Sequence, residues 1–233
     1  MGLAPQGLNR RSFVYRELVE LKSEFAELNG YACAVTCGAD SGEETARAQD
    51  LAIADLCALR RSGYKGQRAI EWVRSQGAVV TDENNMTAVQ SDGSRIARLA
   101  DTEVLILGDL FGGGRVADEL EDAWGYETGL LAYPIPREDT NFWFAVSGRH
   151  AAAMFAKVCG VDLRPHKFPE GGVAQTSLAR MNAIIVRHDV GGTLAFDVLA
   201  DSASAAYVWS SLIDAMDEFG GRAVGLKALR NLT

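Results

Sequence analysis

Near the start of the chain, apolar residues recur at a spacing of four, three, four and three: Val14, Leu18, Leu21, Phe25 and Leu28. Charged residues fill the gaps, among them Arg16, Glu17, Glu20, Lys22, Glu24 and Glu27. The pattern predicts a helix over residues 12–28 with one narrow apolar stripe, Ser12 as its N-cap and Asn29-Gly30 as its stop. A stripe of this kind has to be covered, by the chain's own domain or by a partner subunit, and its five residues are the partner-contact candidates. The small polar run 38–46, Gly-Ala-Asp-Ser-Gly-Glu-Glu-Thr-Ala, has the composition of a linker. It divides an N-terminal helical extension, 1–45, from a second domain, 46–233.

That second domain reads as one module built twice, over about 46–132 and 138–233. In the first copy an apolar strand-like stretch, 51–59, leads through Gly63-Tyr64-Lys65-Gly66 into a helix with Ala69, Ile70, Trp72 and Val73 that ends at Gly77. In the second, a strand over 142–146 turns at Ser147-Gly148 into a helix with Ala151, Met154, Phe155 and Val158 that stops at Gly160. Each helix is followed by an irregular stretch and two strand-like runs: 96–99 and 104–107 about Asp101, then 181–187 and 194–199 about Gly191-Gly192. A closing helix follows each pair, roughly 116–124 in the first copy and 202–220 in the second. The buried face of the latter carries Val208, Trp209, Leu212, Ile213, Met216 and Phe219. Two β-α-β-β-α halves with helices on one side of mixed sheets define an α+β fold. Between them Tyr133-Pro134-Ile135-Pro136 is an extended, stiff connector.

Composition narrows the function. At 233 residues, 48% of them hydrophobic, the chain can bury a sizeable core. Its 31 acidic against 23 basic residues give a net charge of -8, which repels nucleic acid and anionic membrane surfaces. No apolar run approaches the roughly 20 residues that span a bilayer, and the first residues lack a secretion signal, so a cytoplasmic location is expected. Cys33, Cys37, Cys57 and Cys159 form no disulfide pattern and are expected as reduced thiols. Cys33 and Cys37 have no nearby histidine to complete a zinc site, since His150, His166 and His188 lie far along the chain, so no metal site is expected.

Candidate chemistry is sparse. Gly112-Gly113-Gly114 before Arg115 fits no phosphate-binding fingerprint and is read as a turn. Ser147 and Ser177 lie in no nucleophile elbow, and His150 falls in the first turn of a helix, where the dipole disfavours its charged form. Asp118, Glu119, Glu121 and Asp122 cluster as a solvated face or a docking surface for a basic partner. No catalytic residue is assigned. Asp55, Tyr64 and Trp143 offer a carboxylate and two aromatic rings, without any spacing that proves they converge.

The second copy resembles the gamma subunit of heterotetrameric sarcosine oxidase. The likeness lies in its aromatic strand Phe142-Trp143-Phe144, in Ser147-Gly148 with the alanine-rich helix, in Cys159-Gly160-Val161-Asp162-Leu163, and in Phe168-Pro169 and Thr176-Ser177-Leu178-Ala179-Arg180. With the first copy the resemblance covers about 46–220. That family is similar in turn to the folate-binding module of glycine-cleavage aminomethyltransferase, itself built of duplicated halves. The resemblance implies an accessory, non-catalytic subunit that holds no cofactor of its own, in a complex where alpha- and beta-type flavoprotein subunits carry FAD, FMN, NAD and tetrahydrofolate. Such complexes serve sarcosine catabolism and one-carbon metabolism; dehydrogenases of N-methylglutamate use a similar subunit, so the amine is not fixed. The alternatives are a free-standing tetrahydrofolate-binding one-carbon transfer protein and a homo-oligomer joined through the 12–28 stripe.

Overall fold

The computed structural model describes residues 3–126 and 129–233. They form two compact units, the first from Met1–Ala58, Asn141–Glu170 and Ala174–Thr233, the second from Leu59–Thr140 and Gly171–Val173. The first unit opens with β1 (Arg10–Arg11), α1 (Tyr15–Glu20), β2 (Glu24–Leu28), β3 (Tyr31–Thr36), α2 (Ser41–Asp50) and β4 (Ala52–Asp55). The second contains β5 (Arg61–Lys65), α3 (Ala69–Ser75), β6 (Met86–Val89), β7 (Arg95–Ala100), β8 (Glu103–Leu107), α4 (Arg115–Ala123), β9 (Tyr133–Pro134) and α5 (Arg137–Thr140). The chain then returns to the first unit with β10 (Asn141–Ser147), α6 (Ala151–Phe155), β11 (Val173–Leu178), β12 (Met181–Arg187), β13 (Ala195–Asp201), α7 (Ala205–Asp217), β14 (Arg222–Ala223) and α8 (Leu226–Arg230). This is the expected α+β class.

The predicted N-terminal helix forms only over its first turns. Lys22, with φ 57°, ends α1 in a left-handed cap, closed by the Ser23 N–H donating to the Leu18 carbonyl at 3.2 Å. Residues 24–28 are then a strand, and Asn29-Gly30, both at positive φ (52° and 77°), is the two-residue turn of the β2–β3 hairpin. The stripe is thereby divided. Val14 at the cap of α1, Leu18 on it and Phe25 on β2 are buried in the first unit's own hydrophobic core, Leu28 is half-buried, and Leu21 remains 42% exposed.

The stretch expected as a linker is also ordered. Asp40 caps α2, its carboxylate accepting from the backbone N–H of Gly42 (2.9 Å) and Glu43 (3.0 Å). Residues 3–45 therefore belong to the first unit, and the divisions fall at 58/59, 140/141, 170/171 and 173/174.

The halves share one topology. In the second unit the run β5-α3-β6-β7-β8-α4 builds a sheet ordered β6-β7-β8-β5-β9. In the first, β10-α6-β11-β12-β13-α7 builds β11-β12-β13-β10-β4-β14. The expected module lacked one strand, β6 or β11, in the stretches read as irregular, and its first copy starts at β5, not at 51–59. The correspondence extends to single atoms at the turn after each leading strand. Gly66 (φ 141°) donates to the Thr102 carbonyl, while the Leu131 carbonyl accepts from Arg68 two residues on. Gly148 (φ 112°) donates to Leu194, while the Asp50 carbonyl accepts from His150.

Candidate functional site

The six-stranded sheet of the first unit places chemistry by strand alternation. Phe142, Phe144 and Val146 of β10, Ile53 of β4, and Phe196, Val198 and Ala200 of β13 face the hydrophobic core, where Phe142 and Phe144 stack at 4.3 Å. The other face carries Trp143, Ala145 and Ser147, and pairing of Ala145 with Asp197 brings a carboxylate onto that face. The Trp143 indole N–H donates to Asp197 Oδ1 at 2.8 Å, with both residues buried. His188 Nδ1 lies 3.9 Å from Asp197 Oδ2.

Asp197 was not singled out from the sequence. Its signal is a lone acid in the apolar run Ala195-Phe196-Asp197-Val198-Leu199. A buried carboxylate in a strand has to be paired, and Trp143 supplies the partner.

Asp55 and Trp143, the carboxylate and aromatic candidates of the first unit, do not share a face of its sheet. Asp55 shares the register of Ile53, so it lies on the opposite side of the sheet from Trp143. Its Oδ1 accepts from the Cys57 backbone at 3.2 Å. Tyr64 belongs to the second unit's core, its ring 4.6 Å from that of Trp72, and burial pushes its phenol up to about 12. The Asp197–Trp143 pair brings a buried carboxylate against an aromatic ring within the first unit.

The other sequence candidates have structural partners. Gly113 donates to the Asp109 carboxylate at 2.5 Å and Val116 to that of Asp92 at 3.0 Å, so the start of α4 already holds two acids. Of the acidic cluster, Asp118 and Glu121 bind Arg60, which also holds Glu138, and Glu119 pairs with Arg115. Three of the four acids thus meet the chain's own arginines. His150 precedes α6 with its Nε2 3.6 Å from Asp50. Burial pushes the thiols of Cys33 and Cys37 up to about 12. Among the described residues, no group of three or more His, Cys, Asp or Glu is placed to hold a metal ion, and no helix is long and apolar enough to cross a membrane.

The two units repeat one α+β strand order. The GCVT N-terminal domain model matches residues 14–233, so the chain belongs to that family. Its fold is shared with glycine cleavage system aminomethyltransferase T from Bartonella henselae at a TM-score of 0.75 and 18% identity, over 96% of this chain and 61% of that one. It is shared with heterotetrameric sarcosine oxidase from Corynebacterium sp. U-96, solved with pyrrole 2-carboxylate, at a TM-score of 0.66 and 18% identity, over 91% of this chain and 97% of that one. The chain therefore spans 61% of the aminomethyltransferase's length. No curated protein matches its sequence.

Proposed function

We propose that the chain is an accessory, non-catalytic subunit of a cytoplasmic amine oxidase or dehydrogenase complex, of the gamma type of heterotetrameric sarcosine oxidase. In this reading the alpha- and beta-type flavoprotein subunits hold FAD, FMN, NAD and tetrahydrofolate, and this chain completes the assembly. The observation that carries it is the match of this fold to 97% of one chain of a heterotetrameric enzyme. Co-expression with the flavoprotein subunits, followed by affinity purification and light scattering, is the test. A single species of fixed stoichiometry is expected; a chain that elutes alone from intact partners would refute the reading.

A second reading, a free-standing tetrahydrofolate-binding one-carbon transfer protein, is favoured by one observation, the carboxylate of Asp197 beside the Trp143 ring. Calorimetric titration with tetrahydrofolate separates the two. Saturable binding to the isolated chain that Asp197→Asn removes would support the second; no binding would eliminate it.

A further inference from the structure

Helix α1 is too short to hold itself and is kept in place from its inner side, where Val14 at its cap and Leu18 lie in the core of the first unit. Its outer side carries apolar surface in water. Tyr15 is half-buried, Val19 one turn later is 41% exposed, and Leu21 at the helix end is left in solvent with it. Two arginines converge on this side. The guanidinium of Arg11, from β1, lies 5.0 Å from the centroid of the Tyr15 ring, and that of Arg16 lies 5.5 Å from the same centroid.

Stacking on a ring fixes where a guanidinium stands without using its N–H edge. The Arg11 guanidinium makes no hydrogen bond or ion pair among the described residues, and that of Arg16 spends one donor, its Nε, on the Tyr15 hydroxyl at 3.3 Å. Glu17 and Glu20 stand on the same helix, yet neither forms an ion pair with these arginines. Other exposed arginines are matched by acids of this chain: Arg68 by Glu71, Arg115 by Glu119 and Arg164 by Asp162. In a chain of net charge -8, two cations are thus held about one ring with their carboxylate-binding edges unused. Like charges so placed repel each other, and an incoming carboxylate removes that cost.

We propose that the outer side of α1, together with Arg11, is a docking surface for an acidic segment of a partner subunit. Carboxylates of that segment take the N–H edges of Arg11 and Arg16, and its apolar residues cover Tyr15, Val19 and Leu21. Tyrosine and arginine beside apolar side chains make up the energetic centres of protein interfaces, and guanidinia already stacked lose little freedom on binding. A polyanion such as nucleic acid or an anionic membrane is repelled by the charge of the whole chain, whereas a segment with a few carboxylates meets the local pair of cations. The partner-contact role expected of the 12–28 stripe thereby passes to the side of α1 opposite its buried residues. The proposal rests on the accessory-subunit reading, which supplies the partner. The test measures binding of the full chain to the co-purified flavoprotein subunits at several salt concentrations, for the parent, an Arg11→Gln, Arg16→Gln variant and a charge-matched Arg68→Gln, Arg164→Gln control. The first variant is expected to bind about tenfold more weakly or worse than the control, with a shallower salt dependence. Both arginines are exposed, so an unchanged melting temperature shows that the variant remains folded. Parent binding that ignores salt, or equal affinity in variant and control, overturns this proposal and leaves the accessory-subunit reading intact; a parent that does not bind the subunits at all overturns both.

Discussion

A Cβ at Gly148 would stand 2.3 Å from the Asp50 carbonyl oxygen, and one at Gly66 2.1 Å from that of Leu131, with both residues at positive φ. Neither neighbour can retreat without moving a strand, since each carbonyl precedes the strand that pairs with the one ending at the glycine. Gly66→Ala and Gly148→Ala are each expected to cost about 3 kcal/mol or more in chemical denaturation. Gly7→Ala, where nothing lies within 4 Å, is expected to stay within about 0.5 kcal/mol. The turn positions were legible, because Gly66 and Ser147-Gly148 stand where a strand gives way to a helix; that each glycine lies against the backbone carbonyl of a residue preceding a paired strand was not, since it depends on residues far along the chain.

Cys33 and Cys37 are a second case at this scale. Their folded thiols, raised to about 12, keep protons that an unfolded chain loses near its ordinary value of about 8.5. Their contribution to stability is therefore complete below that pH and is lost as pH rises toward 12. The melting temperature should fall between pH 8.5 and 10.5 by less in a Cys33→Ala, Cys37→Ala variant than in the parent. Native alkylation at neutral pH should spare both thiols until the chain unfolds.

Elements were read well where one period ran uncontested. Residues 69–75, 115–123 and 205–217 are helices and 95–100, 103–107, 141–147 and 181–187 strands, close to expectation. The 12–28 stripe failed because a four-three spacing also admits a short helix followed by a strand with an inward Phe25. Asn29-Gly30 is a hairpin turn as readily as a helix stop. Residues 41–50 failed for the opposite reason: a helix start rich in Ser, Gly and Glu looks like a linker unless Asp40 is recognised as its cap. One acid on α2 fastens this region. Buried Glu44 accepts from the backbone of Cys37 (2.5 Å) and Gly225 (2.8 Å), joining the end of β3 to the start of α8. Glu44→Ala leaves those donors unpaired and is expected to cost about 3 kcal/mol, with Glu44→Gln costing less; urea denaturation measures both.

At the scale of the whole molecule, duplication was legible in the order of apolar runs, and it carried the correct fold class. What stayed hidden was the exchange of chain between halves: β4 precedes the second unit in sequence yet pairs with β10 of the first. The polar pair on the sheet stayed hidden likewise, because Trp143 and Asp197 meet only through the β10–β13 register. The role proposed for the chain is that of a part that completes an assembly. Amine-dependent flavin reduction by the reconstituted complex, measured with and without this chain and for the chain alone, tests that claim most directly. The account predicts turnover by the assembly and none by the isolated chain; amine turnover by the isolated chain at a rate comparable to the assembly's would contradict it.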